Sequence, residues 1–254
     1  MKLTIIGNGN MAKALIGGLC QQYDIEVVGR NEDKLNNLKK DFNNISVTLV
    51  GDKYDITGKN IIFCVKPYAL EEVACKLQGE AQSLFSILAG TKLSSLKSVI
   101  KSQNYVRVMP NIGAVYNKSM TTLTGDELLK NLSIEIFSSI GEVLWLKSEN
   151  ELDIATAIAG SGPAYLALIA EAMADGGVKC GLSRADSKKL VQGLFEGFSP
   201  LINNYEPSHI KDQVMSPSGT TAVGVATLEE GSIRSSFIKA IESAYKRAVE
   251  LGKK

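Results

Sequence analysis

A glycine-rich turn close to the start of the sequence constrains the fold more than any other feature. Residues 3–6 form an apolar, β-branched run, and residues 7–12, Gly-Asn-Gly-Asn-Met-Ala, follow at once. This is the G-x-G-x-x-A spacing found between a strand and a helix. Gly7 permits a tight turn, Gly9 leaves room for a pyrophosphate, and Ala12 lets the helix lie close to the sheet. The segment predicts a dinucleotide site, and a turn that simply needs glycines is the alternative.

Alternating patterns extend this prediction to a fold class. Five apolar runs predict strands at residues 3–6, 25–29, 60–65, 84–89 and 105–109. Amphipathic helical patterns separate them, which predicts parallel βαβ units and a doubly wound sheet. From residue 149 onward the patterns are helical. We therefore expect an α/β protein with an N-terminal Rossmann-type dinucleotide-binding domain, residues 1–156, followed by an all-helical C-terminal domain, residues 157–254.

An arginine follows the second predicted strand, where the two nicotinamide cofactors are usually distinguished. NAD-specific proteins carry an acidic residue there, which holds the ribose 2′-hydroxyl. Here Arg30 can pair with a 2′-phosphate, and Asn31 begins a helix whose N-terminus adds donors. The pattern favours NADPH, with NADH possible at lower preference. Glu32 and Asp33 weaken this interpretation, and a solvated surface arginine is the alternative.

A lysine follows the predicted strand of residues 60–65. In the sequence Val65-Lys66-Pro67, the proline can begin the next helix. Lys66 then lies at the cofactor edge of the sheet, where it can contact the nicotinamide ribose or a phosphate. A surface lysine is the alternative.

The helical half contains a run of small and hydroxylated residues at 216–221, Ser-Pro-Ser-Gly-Thr-Thr. Pro217 and Gly219 shape a turn, and the two threonines lie in the first turn of the next helix. Free N–H groups at a helix N-terminus, with hydroxyls nearby, suit a carboxylate. The run predicts a site for an anionic substrate, and ordinary capping of the helix by Ser218 is the alternative.

A second glycine-rich turn, residues 159–165, precedes a long helix rich in alanine and glycine. Pro163 suits the first helical position, so the turn is either part of a site or a capped hinge. Small residues let helices approach closely, which predicts a helix at the centre of a bundle. Transmembrane packing is the alternative, but Glu171 and Asp175 interrupt the run. These two carboxylates share a helix face and are interpreted as structural.

Composition and charge narrow the possible functions. With 28 Lys plus Arg against 27 Asp plus Glu, the net charge is +1, so we expect no nucleic-acid partner. No uninterrupted apolar stretch approaches the roughly 18 residues that span a bilayer, which favours a cytoplasmic protein without a membrane partner. Four cysteines lack a C-x-x-C pair and His209 is the single histidine, so neither a metal site nor a Ser-His-Asp triad is expected.

Taken together, six segments resemble the pyrroline-5-carboxylate reductases, in the order of that family and over essentially the whole chain. They are residues 7–11, 65–67, 89–91, 107–111, 160–165, and 216–221 with the trailing Leu228-Glu229. The last segment is the most specific. The resemblance implies NADPH-dependent hydride transfer to the C=N bond of 1-pyrroline-5-carboxylate, which gives L-proline. It also implies that the helical domain binds substrate and dimerises, in homodimers or in larger homo-oligomers built on dimers.

The motifs and the resemblance assign residues to two sites. Cofactor contacts fall on Gly7, Gly9, Asn10, Met11, Arg30, Asn31, Val65, Lys66, Pro67 and Ala89. The substrate carboxylate falls on Ser216, Gly219, Thr220 and Thr221. Thr221 is also the catalytic candidate, because its hydroxyl can hydrogen-bond the ring nitrogen. Ser218 stands where the family often has glycine or alanine, and Tyr68 where glutamine is frequent.

Three other functions are compatible with the same two-part plan. A β-hydroxyacid dehydrogenase typically carries a lysine in the helix after its glycine-rich turn, and residues 165–178 contain none. Another NADPH-dependent imine reductase would share all the motifs. A non-enzymatic regulator that senses the dinucleotide would be expected to lose the hydroxylated run.

Overall fold

The computed structural model describes residues 1–252, which form two compact units. The first unit comprises residues 1–161 together with residues 243–252. The second unit comprises Gly162–Glu242.

The first unit is built on strands. They are β1 (Lys2–Ile6), β2 (Asp24–Gly29), β3 (Ile45–Leu49), β4 (Tyr54–Asp55), β5 (Asn60–Phe63), β6 (Leu77–Gln78), β7 (Ala81–Ser86), β8 (Ser102–Met109), β9 (Ser119–Gly125) and β10 (Gly141–Trp145). Eight of them form one sheet in the order β10-β9-β8-β7-β5-β1-β2-β3, and β4 pairs with β6. The run from β3 to β8 is parallel. Because the order reverses between β1 and β5, the loops after these two strands border a crevice where such sheets bind ligands.

Helices connect the strands of the first unit. They are α1 (Asn10–Leu19), α2 (Glu32–Asp41), α3 (Leu70–Ala74), α4 (Leu93–Val99), α5 (Lys130–Ser138) and α6 (Glu149–Ala155). The apolar face of α1 buries Leu15, Ile16 and Leu19 in the main core of the sheet. In the same core, the rings of Phe85 and Phe137 meet edge to face at 5.8 Å. This core fixes the start of α1, and with it the glycine-rich turn.

The second unit is helical. It contains α7 (Gly162–Lys179), α8 (Arg184–Asn204), α9 (Pro207–Val214), α10 (Thr220–Glu230) and the first part of α11 (Ile233–Leu251). Helices α7 and α8 pack together, and the Ser187 hydroxyl donates to the Ala174 carbonyl at 2.7 Å. Many apolar side chains of this unit are more than half exposed: Leu166, Leu168, Leu190, Leu194, Val223, Leu228 and Ile238. Helix α10 buries none of its residues within the described chain.

The fold class predicted from the sequence is confirmed, and each predicted strand is present. Strands β3, β9 and β10 were not predicted, because their alternation is weak and β9 is rich in threonine. Strands β4 and β6 were also not predicted, because each has only two residues. The expectation of parallel units throughout the first half is wrong for one pair, since β8 and β9 run antiparallel.

A helical stretch from Glu149 to Lys179 is long and apolar enough to cross a membrane, judged by length and composition alone. One such helix is weak support for a membrane protein, because a helix in the core of a soluble protein passes the same test. Of the two interpretations of residues 159–165, the capped hinge is wrong, because the chain is helical on both sides of Ser161. Helix α6 instead leads into α7 through a π-helical turn, Thr156–Gly160.

Candidate dinucleotide and substrate sites

Gly7 forms the bend between β1 and α1. Its φ angle is +120°, and an added Cβ would lie 2.3 Å from the carbonyl oxygen of Cys64. The Gly7 N–H donates to the Val28 carbonyl, and the Cys64 N–H donates to the Ile6 carbonyl, both at 2.8 Å. The bend is therefore tied to β2 and β5 at the point where the strand order reverses, and glycine is required there.

Gly9, two residues after Gly7, lies beside open space, whereas Gly7 lies against backbone atoms. It is the N-cap of α1, no side chain caps the helix, and no atom of the described chain lies within 4 Å of an added Cβ. The first intrahelical bond runs from the Lys13 N–H to the Gly9 carbonyl, so the N–H groups of Asn10 and Met11 remain available. Free N–H groups beside open space fit a pyrophosphate.

The loop after β2 lies beside the glycine-rich turn. Asn8 donates through Nδ2 to the Asn31 carbonyl at 3.1 Å, and an added Cβ on Gly29 would lie 2.7 Å from the same nitrogen. The Asn31 side-chain oxygen caps α2 by accepting from the Lys34 N–H at 2.9 Å. The side-chain Nδ2 of Asn31 therefore remains available to a ligand, and the neighbouring Arg30, which pairs with Glu72 at 2.6 Å, is more than half exposed.

The loops after β5 and β7 supply the remaining predicted cofactor residues. Val65 is half-buried, Lys66 is exposed, and Pro67 begins a 3-10 turn. Burial raises the pKa of the neighbouring Cys64 thiol to about 12, so this thiol stays neutral and unreactive. Ala89, after β7, is half-buried.

The turn after Ala89 packs against the end of the chain. Gly90 has a φ angle of +69°, and an added Cβ would lie 2.7 Å from the Cβ of Leu251 in α11. The C-terminal end of α11 therefore supports the loop predicted to contact the nicotinamide. The sequence carries no signal for this long-range contact.

Asn111 is a positioning residue that the sequence analysis did not assign. Pro163 has no N–H, so it leaves the Ala159 carbonyl without its usual helical partner. The Asn111 side chain donates to that carbonyl at 2.9 Å, while its Oδ1 accepts from the Gly113 N–H at 2.9 Å. Asn111 thereby fastens the π-helical turn to the carboxyl end of β8.

A buried arginine fastens α6 to the same strand. Arg107 in β8 has a side chain that is 3% exposed, and it pairs with Glu149 at 3.0 Å and Asp153 at 2.9 Å. Glu149 also accepts from the N–H of Leu93 at 2.8 Å. An arginine within an apolar strand was the available signal, but the sequence does not reveal its partners 42 and 46 residues away.

The hydroxylated run of the second unit forms a turn and then the start of α10. The Gly219 N–H donates to the Ser216 carbonyl at 3.0 Å, and Ser218 adopts a left-handed conformation with a φ angle of +60°. An added Cβ on Gly219 would lie 2.4 Å from Ser216 Oγ. A side chain at position 219 would therefore displace the Ser216 hydroxyl from its place beside the turn.

Ordinary helix capping does not account for this run. The N-cap of α10 is Gly219, which has no side chain, rather than Ser218. By contrast, Ser148 and Ser183 cap α6 and α8 through their hydroxyls. Across residues 1–252, no hydrogen bond joins the hydroxyls of the run to another residue: Ser216, Ser218, Thr220 and Thr221. These hydroxyls and the free N–H groups of α10 can serve an anion together.

Two other groups from the sequence analysis lie in the second unit. Asp175 pairs with Arg184 at the start of α8, which supports its interpretation as a structural carboxylate. The exposed ring of His209 lies 5.7 Å from that of Tyr205. Within residues 1–252, no cluster of His, Cys, Asp and Glu side chains is arranged to hold a metal ion.

Family models match both units. Residues 149–251 match the pyrroline-5-carboxylate reductase dimerisation family, and residues 2–90 match the family of coenzyme F420-dependent NADP oxidoreductases. The first match confirms the prediction of a homo-oligomer. The second agrees with the dinucleotide turn at residues 7–12.

Relatives and solved structures cover the whole chain. A pyrroline-5-carboxylate reductase of Synechocystis is 36% identical, covering 100% of this chain and 99% of the relative. One of Helicobacter pylori is 33% identical over 96% and 98%. The Coxiella burnetii enzyme structure has a TM-score of 0.84 at 30% identity, covering 99% and 98%. The Plasmodium falciparum enzyme structure, with NADP bound, has a TM-score of 0.81 at 28% identity, covering 99% and 100%. The chain therefore belongs to the pyrroline-5-carboxylate reductase family of NADP-dependent oxidoreductases.

Proposed function

We propose that the ten predicted cofactor residues of the first unit bind NADPH and that the hydroxylated run of the second unit binds the carboxylate of 1-pyrroline-5-carboxylate. The family makes the chain an NAD(P)H-dependent oxidoreductase that acts on a C=N bond in proline biosynthesis. The observation that carries the substrate assignment is the uncapped start of α10, with its four unbonded hydroxyls. The sequence left open a β-hydroxyacid dehydrogenase or another imine reductase. The full-length relatives reported above are pyrroline-5-carboxylate reductases, and they support neither alternative.

The first unit orients the cofactor. The N–H groups of Asn10 and Met11 receive the pyrophosphate in the space beside Gly9, and Arg30 pairs with the 2′-phosphate. Val65, Lys66, Pro67 and Ala89 surround the nicotinamide ribose and ring. When bound, NADPH supplies the hydride. The residues of this unit contribute position rather than acid–base chemistry.

The second unit orients the substrate. Ser216 and Thr220 hold the carboxylate through hydroxyl and backbone N–H donors. Gly219, whose N–H already donates to the Ser216 carbonyl, shapes the turn that brings these donors together. The Thr221 hydroxyl hydrogen-bonds the ring nitrogen. A protonated imine already accepts hydride readily, so the hydride adds to carbon and the nitrogen keeps its proton in the amine product. Catalysis then needs no separate general acid from the protein.

Initial rates of NADPH oxidation test the function directly. The purified protein is assayed with 1-pyrroline-5-carboxylate, and in parallel a β-hydroxyacid is offered with NADP. We expect turnover with the pyrroline and none with the β-hydroxyacid. Binding of NADPH without turnover of either compound would contradict the proposal and favour a sensor.

We further propose a homodimer, or a larger oligomer built on dimers, in the cytoplasm. The exposed apolar side chains of the second unit support this assembly, because a single chain rarely leaves so large an apolar surface in water. All four cysteines are free, which agrees with a reducing compartment. Light scattering on a sizing column should give at least twice the mass of one chain. A monomer at micromolar concentration would contradict the proposal.

We also propose the functional boundary between residues 156 and 157. It falls at the start of the π-helical turn Thr156–Gly160, while the division into compact units comes shortly afterwards, after Ser161. Residues 1–156 would then bind the cofactor, and the substrate would be bound within residues 157–254, of which the part of α11 from Ser243 belongs to the first compact unit. Substitutions that change only one ligand's affinity test this division.

A further inference from the structure

An ion pair joins the loop after β2 to helix α3, beside the proposed adenosine end of the dinucleotide site. Nη1 of Arg30, just after β2, lies 2.6 Å from Oε1 of Glu72 in α3. The two side chains are 59% and 54% exposed, so both are accessible to a ligand. Glu72 is 42 residues from Arg30 along the chain, and no dinucleotide motif includes it.

Arg30 is the side chain placed to pair with a 2′-phosphate. Glu72 competes with that phosphate for Arg30. Asn31 keeps its side-chain Nδ2 as a possible donor, since its side-chain oxygen accepts from the Lys34 N–H and its carbonyl from Asn8. A doubly charged phosphate that approaches Arg30 meets a guanidinium whose charge is already balanced by the Glu72 carboxylate. The ribose of NADH carries a hydroxyl at the same position, which can donate to a carboxylate.

We propose that Glu72 is a specificity-determining residue that limits the preference for NADPH over NADH. The inference rests on the proposed contact between Arg30 and the 2′-phosphate. With NADPH, the Glu72 carboxylate competes with the phosphate for Arg30 and repels it. With NADH, the same carboxylate can accept the ribose hydroxyl. The Arg30–Glu72 pair thus allows the dinucleotide site to bind both cofactors and lowers its affinity for NADPH.

The substitution Glu72→Gln removes the charge and preserves the shape. Isothermal titration calorimetry gives dissociation constants for NADPH, NADH and 2′,5′-ADP, the last of which carries the 2′-phosphate without nicotinamide. We expect roughly two- to fivefold tighter binding of NADPH and 2′,5′-ADP, a size typical of exposed charge pairs. NADH should bind equally or more weakly. The gain for NADPH should shrink at high salt, because salt screens an exposed charge.

Glu71→Gln is the matched control. It removes the same charge from the preceding residue of α3, and the ion pairs found among residues 1–252 do not include Glu71. It should leave the ratio of the NADPH and NADH dissociation constants within twofold of the unsubstituted protein. An equal gain in both variants would show a general charge effect and overturn the role of Glu72.

Arg30→Gln separates this inference from the proposed contact that it rests on. If Arg30→Gln leaves NADPH affinity unchanged, the contact with the 2′-phosphate is wrong and the inference fails with it. Suppose instead that Arg30→Gln abolishes the preference for NADPH, while Glu72→Gln alone leaves this preference unchanged or lowers it. Only the role of Glu72 is then overturned. In the double variant, the gain seen with Glu72→Gln should disappear.

Discussion

In the first unit Arg107 is almost fully buried and held by two carboxylates, whereas in the second unit Arg184 pairs with Asp175 at the surface. The same contrast holds for the proposed sites. Around Gly7 and Asn8 the polar groups are engaged within one chain, while the hydroxyls of the 216–221 run are not. The first unit is thus preorganised by its own core, and the second leaves apolar faces and donors for other molecules.

The largest expected effect compares the two arginines. Arg107→Met leaves the buried Asp153 and the partly buried Glu149 without their cation, which should cost about 3–5 kcal/mol of unfolding free energy. Arg184→Met breaks an exposed pair and should cost at most about 1 kcal/mol. Urea unfolding at a fixed protein concentration measures both losses. Equal losses of unfolding free energy in the two variants would contradict the contrast between the units.

The two glycines of the dinucleotide turn test its preorganisation. Gly7→Ala forces a Cβ onto the Cys64 carbonyl at a positive φ angle, and should cost about 2–4 kcal/mol of stability. In Gly9→Ala the added Cβ points into open space. The expected cost is about 1 kcal/mol of unfolding free energy, because alanine is a poorer N-cap than glycine. Both should lose NADPH binding, measured by nucleotide fluorescence. If Gly9→Ala bound NADPH normally, the pyrophosphate would not lie beside that residue.

Thr221 tests whether an unbonded hydroxyl of the second unit takes part in turnover. Thr221→Ala should lower kcat about tenfold, in keeping with the loss of one hydrogen bond near the reacting atoms. Thr221→Ser keeps the hydroxyl and should restore most of the rate. Steady-state kinetics with 1-pyrroline-5-carboxylate distinguish the variants. Unchanged kinetics in Thr221→Ala would remove this residue from the mechanism.

The smallest expected effect concerns backbone strain in the second unit. Ser218 and Ser232 both have left-handed φ angles, +60° and +57°. Replacing either by glycine should raise the unfolding free energy by about 0.5–1 kcal/mol, since glycine adopts this conformation without a Cβ penalty. Ser232→Gly, outside the hydroxylated run, is the control. Loss of stability in Ser218→Gly alone would show that its side chain holds the turn.

Local features were predictable from the sequence, and long-range ones were not. The strand, turn and helix around Gly7 and Gly9 depend on neighbouring residues, so their pattern was sufficient. The antiparallel pairing of β8 with β9 depends on how the chain returns to the sheet, which no local pattern encodes. The π-helical turn before Pro163 depends on Asn111, which lies 48 residues from Ala159.

The proposed sites show the same limit. Arg30 was identified because it follows a strand, but its partner Glu72 lies in a helix that contributes nothing to the motif. The hydroxylated run was identified by composition. That its hydroxyls make no capping bond became visible only from the position of Gly219 at the start of α10. Side-chain partners and the residue at which α10 begins, rather than residue types, were the missing information.

The central claim is that NADPH binds to the first unit and the substrate carboxylate to the start of α10. One variant, Thr220→Val, tests both parts. It removes a hydroxyl from the carboxylate site and nothing from the dinucleotide turn. We expect the KM for 1-pyrroline-5-carboxylate to rise roughly tenfold, as for a lost hydrogen bond to a charged group, while the Kd for NADPH stays within about twofold. An unchanged KM, or an equal loss of NADPH affinity, would contradict this division of roles.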